Sequence, residues 1–249
     1  GKFDATVTLA GGIASNLHAL DAFADVVGDT PVILTGDIAA YGAHPAECLS
    51  RVKDLGWPTI AGNVERQLAE NAEGCGCGFE DGSTCDRLSA GWYAHARAAM
   101  TPDLRDWMRD LPDIAVVTAQ TRSLAVIHGG VTDIARFLWP SSPVEDFETE
   151  IAAITDHVGQ IDGVISGHSG IAFHRNIGDV QWINTGALGL PPHDGRPMTR
   201  YAVLENGEVT IKRLSYDHEA ARAAMTATGL TQGYDETLTS GVWPSEDIL

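Results

Sequence analysis

Short apolar runs and longer segments with helical periodicity alternate through the first part of the chain. ATVTLA (5–10) leads to NLHALDAFADVV (16–27), PVILTG (31–36) leads to HPAECLSRVKDL (44–55), and PTIAGN (58–63) follows. The alternation predicts βαβ units and a largely parallel first sheet. Asn16 or Ser15 is placed to cap the first helix, and Thr101 with Pro102 to open a later one. The helical patterns RLSAGWYAHARAAM (87–100) and TPDLRDWMRDL (101–111) precede two apolar strand runs, IAVVTA (114–119) and SLAVIHGG (123–130).

After the helical VEDFETEIAAITDHV (144–158), five strand signals crowd together: DGVISG, IAFHRN, VQWINTG, RYAVLE and EVTIKRL. Asn206-Gly207 between the last two is a strong two-residue hairpin signal, so parallel character gives way to antiparallel. A late helix, DHEAARAAMTATGL (217–230), has Gly229 past its end, and 231–249 carries no clear period. That last segment reads as an arm lying over the surface or over a second subunit, which makes a homodimer a candidate assembly.

With 249 residues and 44% apolar content, the chain can bury a full core as one domain, 1–249. A formal charge of −18, from 34 acidic against 16 basic residues, repels phosphate backbones and anionic lipid. Nucleic-acid and membrane partners are therefore not expected. No run approaches the roughly 18 to 20 apolar residues that cross a bilayer, and no signal-peptide pattern opens the chain, so a cytoplasmic protein is expected.

Residues able to bind a metal stand just past successive predicted strands. Asp37 follows PVILTG, Asn63 ends PTIAGN, His128 ends SLAVIH, and His168 follows DGVISG, each with a neighbouring glycine. A carboxylate, an amide oxygen and two imidazoles suit a divalent transition metal such as Mn, Fe, Zn or Ni. Any one alone is more often structural; four in one chain carry more weight.

These motifs resemble the calcineurin-like metallophosphoesterases, in particular their small single-domain bacterial phosphodiesterases. That family runs Asp-x-His, Gly-Asp, Gly-Asn-His, His, Gly-His-x-His. The chain shows LTGDIAAYGAHPAECL, IAGNVERQ, VIHGG and ISGHSG in that order, then INTGALGLPPHDG, over about residues 5 to 217. The resemblance implies an α/β fold, a four-layer α-β-β-α sandwich with two mixed β-sheets, and a two-metal site at the strand ends. It also implies the departures. Gly12-Ile13-Ala14 fills the Asp-x-His slot, Val64 stands where the family has the His that protonates the leaving group, and Gly170 replaces the last His. Every private ligand of one metal is lost, whereas Asp37, Asn63, His128 and His168, the ligands of the other, remain.

Three further expectations concern the surroundings. The turn LAGGIASN, through Gly11, Gly12, Ser15 and Asn16, is a candidate anion cradle at a helix N-terminus, although any strand-Gly-Gly-helix turn looks alike. The Cys- and Gly-rich loop 72–86 offers Cys75, Cys77 and Cys85, with His95 beyond, as a structural Zn or Fe site or as replacement ligands; free or disulfide-forming thiols are the remaining alternative. His193, in PPHDG, is a candidate substrate contact or proton shuttle, and Arg66, Arg175 and Arg196 are candidate phosphate clamps or ion-pair partners. The expected activity is metal-dependent hydrolysis of a small phosphate ester or anhydride. The alternative is a metal- or nucleotide-binding sensor that has lost catalysis.

Overall fold

The computed structural model describes residues 1–4 and 6–247, so the first residue of the expected strand 5–10 and the end of the arm at 248–249 lie outside the described residues. Among the described residues, ten strands form two mixed sheets. The larger takes β1 (Lys2–Phe3), β4 (Ile114–Ala119), β5 (Arg122–Ile127), β6 (Gly163–Ser166), β8 (Val180–Thr185) and β7 (Ala172–Ile177), in the order β1-β4-β5-β6-β8-β7. The smaller takes β2 (Val7–Ala10), β3 (Val32–Leu34), β9 (Thr199–Glu205) and β10 (Glu208–Leu214), in the order β10-β9-β2-β3.

Alternation along the strands assigns each residue to a layer. Leu124 and Val126 of β5 face inward against Val7, Leu9, Ile33, Ala202 and Leu204 of the smaller sheet, forming the inter-sheet core. Their neighbours Ala125 and Ile127 face outward onto α6 (Val144–Val158), where Phe147 and Ile154 pack with Trp182. On the opposite outer side, α1 (Leu17–Val27) buries Ala19, Leu20, Phe23 and Val27, a stripe at helical spacing, against the smaller sheet. The result is the expected α-β-β-α sandwich.

Local signals account for most boundaries. Asn16 is the α1 cap, its side chain accepting from the Ala19 N–H, and Thr101 caps α5 (Pro102–Asp110) in the same way through Leu104. Asn206 and Gly207 both have positive φ, 51° and 81°, as the two-residue hairpin requires, and the turn sets Glu205 opposite Glu208. Two expectations change. PTIAGN makes only an isolated parallel bridge, Leu34 to Thr59, because the chain turns at once into α3 (Asn63–Ala69). The first sheet is also less parallel than expected: β2 pairs in parallel with β3, but its other edge is taken by the antiparallel β9–β10 hairpin.

The loop after β5 is held from below by α6. The fully buried Glu150 carboxylate accepts from the backbone N–H groups of Val131 (2.7 Å) and Thr132 (3.1 Å), from the Thr132 hydroxyl, and from Arg136 at 2.9 Å. This clamp fixes the segment that begins at His128. Glu150→Ala leaves two backbone N–H groups and the Arg136 guanidinium without their buried acceptor, and is expected to cost about 2 kcal/mol; a urea unfolding midpoint close to that of the unsubstituted protein would refute the clamp.

Candidate functional site

Both sheets end at one edge of the sandwich. The turns after β3, β5 and β6 and the start of α3 bring Asp37, His128, His168 and Asn63 together there. His128 Nε2 lies 3.0 Å from Asn63 Oδ1, 3.0 Å from His168 Nδ1 and 3.3 Å from Asp37 Oδ2. His168 Nδ1 is 3.9 Å from the same Asp37 oxygen. Asp37 and His168 sit in the left-handed backbone region, at φ 56° and 63°, a strained conformation that concentrates at functional sites. Gly62 is obligatory beside them, since a Cβ there would fall 2.5 Å from Asp37 Oδ1.

The hydrogen bonds around the four side chains fix what they present to one another. The Thr35 carbonyl can only accept, so His128 Nδ1, at 2.6 Å, donates to it, and the neutral ring turns a lone pair at Nε2 toward the centre. Asn63 Nδ2 donates to the Cys75 carbonyl at 3.0 Å, which aims Oδ1 at the same point. Asp37 Oδ2 is a third acceptor, while Asp37 Oδ1 is buried with no hydrogen-bond partner among the described residues. Asn63 Oδ1, Asp37 Oδ2 and the His128 Nε2 lone pair therefore face one another, and one N–H, on His168 Nδ1 or on a protonated His128, cannot serve all three. Such a convergence suits a divalent cation, and Asp37, His128 and His168 can each offer it one atom.

Charge follows the geometry. Burial disfavours the Asp37 anion, but the two imidazoles outweigh burial and hold its carboxyl well below the usual carboxylate range. Burial likewise works against a charged His128, yet Asp37 and the Thr35 carbonyl carry its pKa above the ordinary value. For His168, burial and the His128 charge prevail and the pKa falls.

Glu65 is the residue that sequence reasoning missed. Wholly buried on α3, its carboxylate accepts from the N–H groups of Gly62 (2.9 Å), Asp37 (2.8 Å), Ile38 (2.8 Å) and Ala39 (3.3 Å), which joins the Asn63 turn to the Asp37 turn. Its own burial and the Asp37 charge push its pKa up, opposed by those donors. The visible signal was an acidic residue two places after Asn63, on a segment otherwise destined for the core.

The positions where the resemblance finds no ligand are held by small groups. Gly12, at φ 56°, stands so close to Ala187 that an added Cβ would lie 3.0 Å from that methyl, and Ala14 and Gly170 carry no donor. Val64 is buried in the core. The anion cradle expected at Gly11, Gly12, Ser15 and Asn16 is not available: the N–H groups of Gly12, Ala14, Ser15 and Asn16 bond to the carbonyls of Gly36, Asp37, Ile38 and Ile13, and the Asn16 amide bonds to Ala19 and Gly189. Those donors are spent on tying the turn to its neighbours.

The thiolate site is also corrected. Cys75 and Cys77 are joined as a disulfide, which leaves neither as a thiolate. Cys85 and His95 lie ten residues apart on α4 (Thr84–Ala99), about 15 Å along its axis, and His95 Nε2 is bonded to the Ala43 carbonyl. They cannot share a tetrahedral ion. Cys77 and Cys85 nevertheless line the cleft over Asp37. His193 does not line it. Its Nδ1 accepts from the Trp243 N–H at 2.8 Å and its Nε2 contacts Glu246 at 3.0 Å, so it tethers the arm instead of facing the site. The arm packs on its own chain, through α8 (Tyr234–Ser240) and Trp243. Arg66 is held by Asp113 and nearby carbonyls, and Arg175 by the Ser142 carbonyl and the Phe147 ring.

Glu65→Ala strands four buried N–H groups and is expected to destabilise the chain by about 3 kcal/mol. Thermal unfolding with and without added metal checks this, and the gain from metal should shrink because the Asp37 turn is no longer fixed.

Residues 11–208 match the calcineurin-like phosphoesterase superfamily domain. MJ0912 of Methanocaldococcus jannaschii is 22% identical over 241 residues, 92% of this chain and 95% of that one. The crystal structure of a metallophosphoesterase from Sphaerobacter thermophilus superposes with a TM-score of 0.74 at 20% identity, covering 96% of this chain and 99% of that chain. The structure of PH1004 from Pyrococcus horikoshii gives 0.77 at 16% identity, with 95% and 98% covered. No helix among the described residues is long and apolar enough to cross a membrane. With its matched domain spanning most of the length and its strand-end residues gathered at one edge of the sandwich, the chain belongs to the calcineurin-like phosphoesterase superfamily, hydrolases that act on phosphate esters.

Proposed function

We propose that the protein hydrolyses a small, soluble phosphate ester or anhydride with one divalent cation held by Asp37 Oδ2, Asn63 Oδ1, His128 Nε2 and His168 Nδ1. The observation that carries this reading is the convergence of Asn63 Oδ1, His168 Nδ1 and Asp37 Oδ2 around His128 Nε2, within 3.0 to 3.3 Å. When bound, a divalent cation supplies Lewis acidity toward a phosphoryl oxygen and lowers the pKa of water.

The protein's own groups act around that cation. Thr35 holds the His128 tautomer, the Cys75 carbonyl orients the Asn63 amide, and Glu65 sets the Asp37 turn. These outer contacts make the site rigid before anything binds. The positions that would complete a second cation, Gly12, Ala14 and Gly170, bring no ligand atom, which supports a single-ion stoichiometry. With Val64 in place of an acid, no imidazole stands ready there to protonate a departing oxygen.

The loss of those ligands favours a second reading, a metal-bound sensor without turnover. Protein purified and dialysed against Mn or Zn, then analysed for metal, is expected to hold close to one equivalent per chain, and His168→Ala to weaken binding at least about 100-fold. The same preparation should turn over nitrophenyl phosphate esters, and His168→Ala should abolish this. Tight metal with no turnover on any ester supports the sensor; no metal in either protein removes both readings.

A further inference from the structure

Between α3 and α4 the segment EGCGCGF, residues 73–79, belongs to no helix or strand. Among the described residues, none of its backbone groups bonds to another backbone group. Its three glycines widen the conformations open to it, and no ladder or helix selects among them. Packing seats it between α3 and the loop after β5: a Cβ at Gly76 would lie 3.0 Å from Gln67, and one at Gly78 3.0 Å from the Ala135 carbonyl. The bond between Cys75 and Cys77 closes its centre into a small ring.

That ring carries both partners of the Asn63 amide nitrogen. Nδ2 donates to the Cys75 carbonyl at 3.0 Å, and the Cys77 sulfur lies 3.5 Å from the same atom. With Nδ2 held there, Oδ1 is aimed at His128 Nε2, 3.0 Å away. An amide has no charge to orient it. Turned over about its last bond, Asn63 would present N–H groups to the site in place of an acceptor. The aim of one proposed metal ligand therefore depends on where the disulfide ring places a single carbonyl, since burial alone permits either orientation.

We propose that the Cys75–Cys77 disulfide is a redox-operated positioning element for the metal site: closed, it holds Asn63 as a ligand, and reduced by a small thiol it frees the amide and weakens cation binding. The proposal rests on the metal site proposed above. Cys77 lines the open cleft, so a thiol reaches its sulfur from the side a substrate enters. The thiolate bonds to the Cys77 sulfur, the Cys75–Cys77 bond breaks, and Cys75 leaves as a thiolate that takes a proton from water. A second thiolate then bonds to the sulfur of the first and displaces Cys77, so that two thiols become one disulfide and the protein gains two electrons and two protons. With the ring open, the glycine-rich segment regains its freedom and the Cys75 carbonyl has no fixed place. Losing a contact that orients a metal ligand costs about 10- to 100-fold in affinity. The lower end is expected here, because Asp37, His128 and His168 keep their places.

The test uses the full chain in both redox states. Denatured and treated with a maleimide tag, the oxidised chain is expected to take up two tags, on Cys48 and Cys85, and the chain reduced with a phosphine to take up four. After the phosphine is removed under argon, the Kd for Zn, read by competition with a chromophoric chelator, is expected to rise about tenfold and to return on reoxidation with glutathione disulfide. The double variant Cys75→Ser, Cys77→Ser keeps the backbone carbonyl and is expected to show the weaker Kd with or without reductant, whereas Cys85→Ser still responds. Cobalt bound to the unsubstituted chain is expected to show no sulfur-to-metal charge-transfer band in either state.

An equal Kd in the two states overturns the switch while leaving the metal site in place. Tighter binding after reduction, with a sulfur-to-cobalt band, overturns it as well, because Cys77 is then a ligand. A response that disappears in Cys85→Ser places the switch on another thiol and overturns the assignment. No metal in either state removes the metal site and this proposal with it.

Discussion

One buried carboxylate sets the geometry on which the site depends. Glu65 accepts from four backbone N–H groups on two separate turns, and so holds the start of α3 and the loop after β3 in a fixed relation. Asn63 and Asp37 ride on those turns. The strained φ of Asp37 persists because the surrounding bonds over-determine it. On the far side of the site, Glu150 does the same for the loop that begins at His128. Both acids are buried, and both are answered by fixed donors instead of water, which is the condition under which a buried carboxylate rigidifies a structure.

The turn at Gly12, where the motif resemblance finds no ligand side chain, is small and apolar. Gly12 retains a positive φ and sits against Ala187, so its turn keeps a tight path while having no space for a side chain. The N–H groups of that turn donate to carbonyls of the loop after β3, and its Gly11 and Gly12 carbonyls accept from Leu188 and Gly189 after β8, which makes it a strut between the two sheets' loops. The cleft is bounded by small and aromatic groups, with Asp37 and His168 lining it and His128 and the Glu65 carboxylate close behind. Among the described residues no Lys or Arg lines this cleft.

The disulfide loop links two observations. The Cys75 carbonyl orients Asn63, and the Cys77 sulfur lies 3.5 Å from the same amide. The loop thus acts on the site through a backbone carbonyl, not through thiolate ligation, and it carries Phe79 into the cleft wall.

What was legible in the sequence was local. Strand and helical patterns gave the alternating elements, the motif resemblance gave the four layers, Asn16, Thr101 and Asn206-Gly207 gave caps and a hairpin, and polar residues after strands gave the four side chains that meet, since each signal depends on neighbours a few residues away. The roles of Glu65, His193, the cysteines and the arm were not legible. Whether a carboxylate meets four N–H groups, whether an imidazole faces a cleft or a tether, and whether two thiols meet each other or an ion are settled by which distant segments pack together. That packing is a property of the closed sandwich, in which residues tens to hundreds of positions apart share one edge. Sequence by itself determined the alternating elements and the donor atoms at their ends; only the tertiary structure decided where those atoms point and which of them remain free, because hydrogen-bond partners are assigned by proximity in space and not by order along the chain.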